Sequence, residues 1–227
     1  MTGTASTRRL GRAVAFFLTA GILLDGARAT FDAWGIHLLR KVERGEILTA
    51  AQARAIVTRQ EIVDVLHLLV FLGTAALFLT WLHRAHRNLE ATGAGDLTYT
   101  PGWAVAYFLI PVLNLIRPLQ VVRELWHSSE PDDEVRDALA ASARLFTPPV
   151  LGWWGGLWLV ATIVGNWLFF SGRDVVTPLA LLRMFQISIG VRAARIAAAV
   201  LLIRIVSGID GRQERGLKRR SAAALAG

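Results

Sequence analysis

The stretch Ile62-Val-Asp64-Val-Leu-His67-Leu-Leu-Val-Phe-Leu-Gly73-Thr-Ala-Ala-Leu-Phe-Leu-Thr-Trp81 decides the fold class. It is almost continuously apolar over the ~20 residues that a helix rising 1.5 Å per residue needs to cross ~30 Å of hydrocarbon. The basic run Leu82-His83-Arg84-Ala85-His86-Arg87-Asn88 follows and marks the exit from the bilayer. Upstream, Thr49 and Gln52 form a T-x-x-Q capping box, so the helix is expected to begin near Ala50, ahead of the membrane. Glu43 to Thr49, with Gly45, reads as the turn that precedes it.

The same pattern recurs on both sides. The chain has 227 residues, 54% of them hydrophobic, and the apolar residues lie in long runs between charged stretches. The expected architecture is all-α and embedded in a membrane as a single domain, 1–227. Four long transmembrane helices are placed at 13–34, 61–82, 149–170 and 178–205. A short proline-broken segment occupies 102–118, an amphipathic surface helix 129–146 and a basic tail 206–227. Ala27-Arg28-Ala29 resembles a signal-peptidase site and Arg8-Arg9 a twin-arginine signal, so the first span has an alternative reading as a cleaved leader. Against cleavage, Asp25 sits between the apolar core and the small-residue site, and the helical pattern continues through Phe31, Trp34, Leu38 and Leu39.

The third segment is too short to span as an ordinary helix. Few residues separate Gly102 from Arg117, and Pro111, Asn114 and Pro118 lie within or beside that stretch. Proline removes a helix hydrogen bond, so the segment is expected to be re-entrant or a kinked, tilted span covered by protein. In the surface helix, Ser129 is the expected cap, Asp132, Asp133 and Glu134 complement the dipole, and Val135, Leu139, Ala143 and Phe146 form the apolar stripe. Trp153, Trp154, Trp158, Trp167, Phe169 and Phe170 read as aromatic belts around the fourth span, and Trp103 and Trp126 as interfacial anchors. Gly152 and Gly156 form a G-x-x-x-G that admits a close helix partner.

Charge orients the chain. There are 25 Lys and Arg residues, all arginine except Lys41 and Lys218, and the net charge is +8. So strong an arginine bias points to a GC-rich bacterial genome. With four spans and both termini inside, most basic residues, including Arg84, Arg87, Arg123 and the tail, fall on the cytoplasmic side. A five-span arrangement with the N-terminus outside counts equally well but translocates Arg8, Arg9 and Arg12. The C-terminus is cytoplasmic in both. Because the basic residues flank apolar segments, membrane lipids are the expected partners and nucleic acid is not.

Four arginines lie inside apolar helices: Arg28, Arg183, Arg192 and Arg195. A charge at mid-bilayer costs ~2.5–3.5 kcal/mol on insertion scales, so each needs a partner. Asp25, Asp32 and Asp64 are the candidates. Asp25, Arg28 and Asp32 share a helix face by their i, i+3, i+7 spacing. Depth counting predicts two polar layers: Asp25, Arg28, Arg192 and Arg195 near the middle with an excess positive charge, and Asp32, Asp64 and Arg183 nearer the outside. These residues, with Asn114, are the candidate ligand or ion path; the bland alternative is a set of ion pairs fixing helix register. Asn114 can equally donate to carbonyls that Pro111 and Pro118 leave unpaired.

Pro101-Gly102-Trp103, Phe108-Leu-Ile-Pro111-Val-Leu-Asn114, Arg117-Pro118-Leu-Gln120 and Arg123-Glu124-Leu-Trp126 resemble the core motif of the domain of unknown function 4328 family. The likeness extends from about Leu66 to Gln213, taking in Trp81, Arg84, Asn88, Trp153 and Trp154. It implies a multi-pass bacterial membrane protein and no particular reaction.

With no cysteine, disulfides, thiolate metal sites and cysteine nucleophiles are excluded. No G-x-S-x-G, H-E-x-x-H or phosphate-loop motif occurs. His83 and His86 are three apart on one helical face, a weak metal motif, and neither a metal nor a cofactor is expected. The leading expectation is a non-enzymatic interaction or accessory protein of the bacterial inner membrane. The alternatives are a small transporter or channel using the buried charges and, last, an intramembrane enzyme.

Overall fold

A computed structural model describes residues 7–47, 49–91, 97–132, 135, 147–171 and 177–226, with side chains of 50–61, 223, 224 and 226 outside the description. Every regular element among them is helical. The surface helix expected at 129–146 lies mostly outside the described residues.

Helix α1 (Arg8–Glu43) runs unbroken through Ala27-Arg28-Ala29. It ends because Gly45 takes a left-handed φ of 85°, which lets its N–H reach Val42 O at 2.9 Å and the N–H of Glu46 reach Lys41 O at 3.1 Å. Helix α2 (Ala50–Ala91) starts where the capping motif places it. Helix α3 (Pro101–Leu109) has Pro101 in its first turn, and the Thr100 side chain accepts from Trp103 N–H.

The chain then breaks as the prolines dictate, though not into a span. α3 stops just before Pro111, a 3₁₀ turn covers Leu113–Leu115, and a separate amphipathic helix α4 (Arg117–Ser128) begins with Pro118 in its first turn. Nine and twelve residues are each far short of ~30 Å at 1.5 Å per residue. The kinked-span alternative is thus corrected to two short helices in series, an arrangement that does not conflict with the re-entrant alternative. Pro118 starts a helix, where its missing N–H costs nothing.

Helix α5 (Pro149–Ser171) opens on a proline, and α6 (Pro178–Ala226) starts where Thr177 Oγ1 accepts from Ala180 N–H at 3.3 Å. α6 is 49 residues long. The expected basic tail is therefore a direct helical continuation of the apolar segment.

Among the described residues, three helices are long and apolar enough to cross a membrane: α1, residues 62–91 of α2, and α5. α6, the expected fourth, carries Arg183, Arg192, Arg195 and Arg204 and is not among them.

The chain divides into two compact units, and each long helix contributes to both. The first comprises Met1–Phe16, Thr74–Gly155 and Leu201–Gly227. Its core is conventional: Trp81, Leu82, Ala85, Val121, Val122, Leu125, Leu151, Ile205 and Ile209 are fully buried. Trp126, expected as an interfacial anchor, packs its ring against Gly208 of α6. A Cβ on Gly208 would come within 2.9 Å of its ring, and the Arg212 guanidinium sits 4.0 Å above the ring centroid.

The second unit comprises Phe17–Gly73 and Gly156–Val200. Its interior is partly polar, with Asp25 and Asp32 buried, while Ile62, Val65, Leu68, Leu69, Phe71 and Leu72 are each more than half exposed. Large apolar side chains outside and carboxylates inside is the arrangement expected when the solvent is hydrocarbon.

A buried ion network as the candidate functional site

The network lies within the second unit and draws on three helices. On α1, Asp25, Arg28 and Asp32 project from one face, as their spacing requires. On α6, Ser188, Arg192 and Arg195 do the same, and on α2 Asp64 and His67 are three apart. Arg192 is the hub. Its Nε donates to Asp32 Oδ2 at 3.0 Å and its Nη1 to Asp25 Oδ1 at 3.4 Å. Ser188 Oγ donates to the same Asp32 oxygen at 2.9 Å. Arg28 bridges outward, with Nη1 3.1 Å from Asp64 Oδ1 and Nε 3.7 Å from Asp32 Oδ1. Arg195 Nε lies 3.7 Å from Asp25 Oδ2, and its Nη2 meets His67 Nε2 at 2.5 Å.

The guanidinium can only donate, so His67 Nε2 accepts, and the ring proton is assigned to Nδ1, 3.9 Å from Asp25 Oδ1. In that form His67 is neutral, and three aspartates balance three arginines. The expected excess of positive charge is thus corrected.

The two expected layers are also corrected to one continuous network. Arg192 joins Asp25, assigned to the middle layer, to Asp32, assigned to the outer one. Arg28 in turn links Asp32 to Asp64. Two turns of helix separate Asp25 from Asp32, roughly 10 Å along the axis, and a long arginine side chain lying between them reaches both. Arg183 is exposed and forms no ion pair with any described residue. Asn114 belongs to the other unit, on the 3₁₀ turn, where its Oδ1 is shut off from solvent and accepts no hydrogen bond from a described residue. The expected donation to proline-freed carbonyls is not among its described contacts.

His67 and Ser188 were not singled out from sequence, although each carries a signal: His67 sits one turn from Asp64, and Ser188 one turn before Arg192. The two histidines of the weak metal motif diverge. His83 is exposed, and His86 is fully buried. No group of three or more potential metal ligands occurs among the described residues.

The sequence pattern of a family described as Domain of unknown function (DUF4328) matches residues 44–211. The match takes in Asp64, His67, Arg192 and Arg195 and leaves out Asp25, Arg28 and Asp32. No curated protein and no solved structure matches the chain.

Proposed function

The chain belongs to the domain of unknown function 4328 family, and from that premise we propose that it is a non-enzymatic interaction or accessory protein of the bacterial inner membrane. In this reading α6 supplies a fourth span through residues 178–205, the C-terminus is cytoplasmic, and the ion network clamps α1, α2 and α6 in register. One observation carries it: the Arg192 side chain, only 13% exposed, contacts two carboxylates that are themselves almost fully enclosed. A charge so held gives the helices one register in which every partner is met. Gly152 and Gly156 support the accessory role, because a Cβ at either position would meet no atom within 4 Å, leaving a strip that a partner helix can approach closely.

The test is a stability comparison in detergent. Arg192→Leu strands two buried carboxylates and should cost about 3–5 kcal/mol, the usual result of breaking a buried pair. Adding Asp32→Asn, which leaves Asp25 with Arg195 and Asp64 with Arg28, should restore part of that. A fully stable Arg192→Leu protein would remove the clamp.

A second reading, a small ion or proton transporter, is favoured by His67 and by Asp64, whose side chain is 57% exposed and so extends the network toward the surface of its unit. Proton uptake into reconstituted vesicles that His67→Phe abolishes would establish it. An intramembrane enzyme ranks last, since no nucleophile–base pair has been identified.

A further inference from the structure

The first unit also contains a shallow cleft open to solvent. Among the described residues it is lined by Asn88 at the end of α2, by Ser129 and Glu130 just beyond α4, and by Arg212, Gln213 and Arg220 on α6. We infer that this cleft binds the phosphoethanolamine headgroup of a phospholipid, an inference that rests on the membrane insertion proposed above.

The lining asks for both halves of a zwitterion. Arg212 is set in place: its guanidinium stacks on Trp126, and its Nη1 donates to Trp126 O at 2.9 Å and lies 3.6 Å from Glu130 Oε2. A guanidinium has five N–H donors, so capacity is left for a phosphate oxygen, with Arg220 contributing a second positive charge. Gln213 supplies the opposite demand. It is 9% exposed, and its Nε2 donates to Ala85 O at 3.1 Å and to Ser129 Oγ at 3.3 Å. Its Oε1 is buried and accepts from no described residue. A buried acceptor of this kind calls for a donor. A primary ammonium brings three N–H groups and a positive charge, which suits Gln213 Oε1 and the Glu130 carboxylate together.

The chemistry discriminates among headgroups. A quaternary choline ammonium has no N–H to give Gln213, and a glycerol headgroup has no cation for Glu130.

The experiment uses the full chain purified in a non-ionic detergent, with lipid retention read by native mass spectrometry. Phosphatidylethanolamine, phosphatidylcholine and phosphatidylglycerol are titrated side by side. The expected result is phosphatidylethanolamine retained at concentrations at least tenfold lower than the other two, with Glu130→Gln and the exposed Arg220→Ala each weakening retention fivefold or more at unchanged melting temperature. Equal retention of the three lipids overturns the inference, and so does indifference to Arg220→Ala in a folded protein. Tail-free glycerophosphoethanolamine that competes as well as the lipid overturns the lipid source. Alkaline carbonate extraction separates the premises: a chain that leaves the membrane in carbonate refutes the membrane reading, whereas one that stays but shows no headgroup preference refutes the cleft alone.

Discussion

Gly11 has no side chain at the place where the Asp210 carboxylate stands. A Cβ on Gly11 would overlap Asp210 Oδ2 and lie 3.2 Å from Val206 Cγ1. The other carboxylate oxygen, Oδ1, accepts from Thr7 Oγ1 at 2.5 Å and from Trp81 Nε1 at 3.0 Å. One acidic residue, expected to be part of a basic tail, therefore ties the start of α1 and the C-terminal quarter of α2 to α6. Gly11→Ala should lower stability by about 1–3 kcal/mol, the usual cost of overfilling a packed contact. Denaturation in detergent measures it, and an unchanged midpoint would mean that the carboxylate can step aside freely.

The same carboxylate sets a pH dependence. Burial pushes Asp210 above the usual carboxylate range, opposed in part by its hydrogen bonds from Thr7 and Trp81 and by nearby Arg8. The folded protein then holds this proton more tightly than the unfolded chain. The contribution is fully present below the unfolded value near pH 4 and is lost as pH rises through the folded value. Asp210→Asn keeps an oxygen for Thr7 and Trp81 and cannot ionise. The variant should lose that part of the decline in melting temperature above pH 4 and match or exceed the parent at pH 7. Parallel profiles for the two proteins would exclude Asp210 as the source.

Much of the candidate site was legible because burying a charge is costly enough to force a pairing. Asp25, Arg28, Arg192 and Arg195 had to find one another or water. What sequence could not supply was the third dimension of that pairing. Depth was counted along each helix as if side chains stayed level with their own Cα, yet Arg192 reaches two aspartates two turns apart. His67 carries only a weak signal in the sequence, its one-turn spacing from Asp64, and its place in the network shows only where Arg195 stands beside it. In the fold, the capping motif places the start of α2, while Pro111 and Pro118 indicate a break without deciding between a re-entrant segment and a kinked span.

The glycines of α5 illustrate the same gap. The G-x-x-x-G spacing drew attention to Gly152 and Gly156, but the close approach within the chain falls on Gly155, whose Cβ would come within 2.9 Å of Leu119 Cδ1. Gly155→Val should destabilise the protein by about 1–3 kcal/mol. Gly152→Val and Gly156→Val should leave its melting temperature nearly unchanged. If Gly156→Val unfolds the isolated chain while Gly155→Val does not, the packing described for Leu119 is wrong.

Arg183 offers a direct contrast with the arginines of the network. It was expected to meet Asp32 and Asp64, but those carboxylates are engaged by Arg192 and Arg28. Arg183→Ala should therefore fall within about 0.5 kcal/mol of the parent, as surface substitutions do. Arg28→Ala should cost several times more, because it strips Asp64 of its described arginine partner and Asp32 of one of two. Equal losses from the two substitutions would restore the layered arrangement that depth counting implied.

Asn114 tests the difference between a polar group kept for folding and one kept for something else. Its backbone N–H donates to Ile110 O at 2.8 Å, which anchors the 3₁₀ turn without help from the side chain. The side-chain Oδ1 is enclosed and unpaired, a situation that costs about 1–3 kcal/mol. Leucine has nearly the same shape and no acceptor to leave unpaired, so Asn114→Leu should be as stable as the parent or more so. A melting temperature that rises in the variant would mean that the amide is retained against the interest of the fold, directing the search for a ligand to this turn. A fall equivalent to more than about 1 kcal/mol would mean instead that the amide holds the turn together.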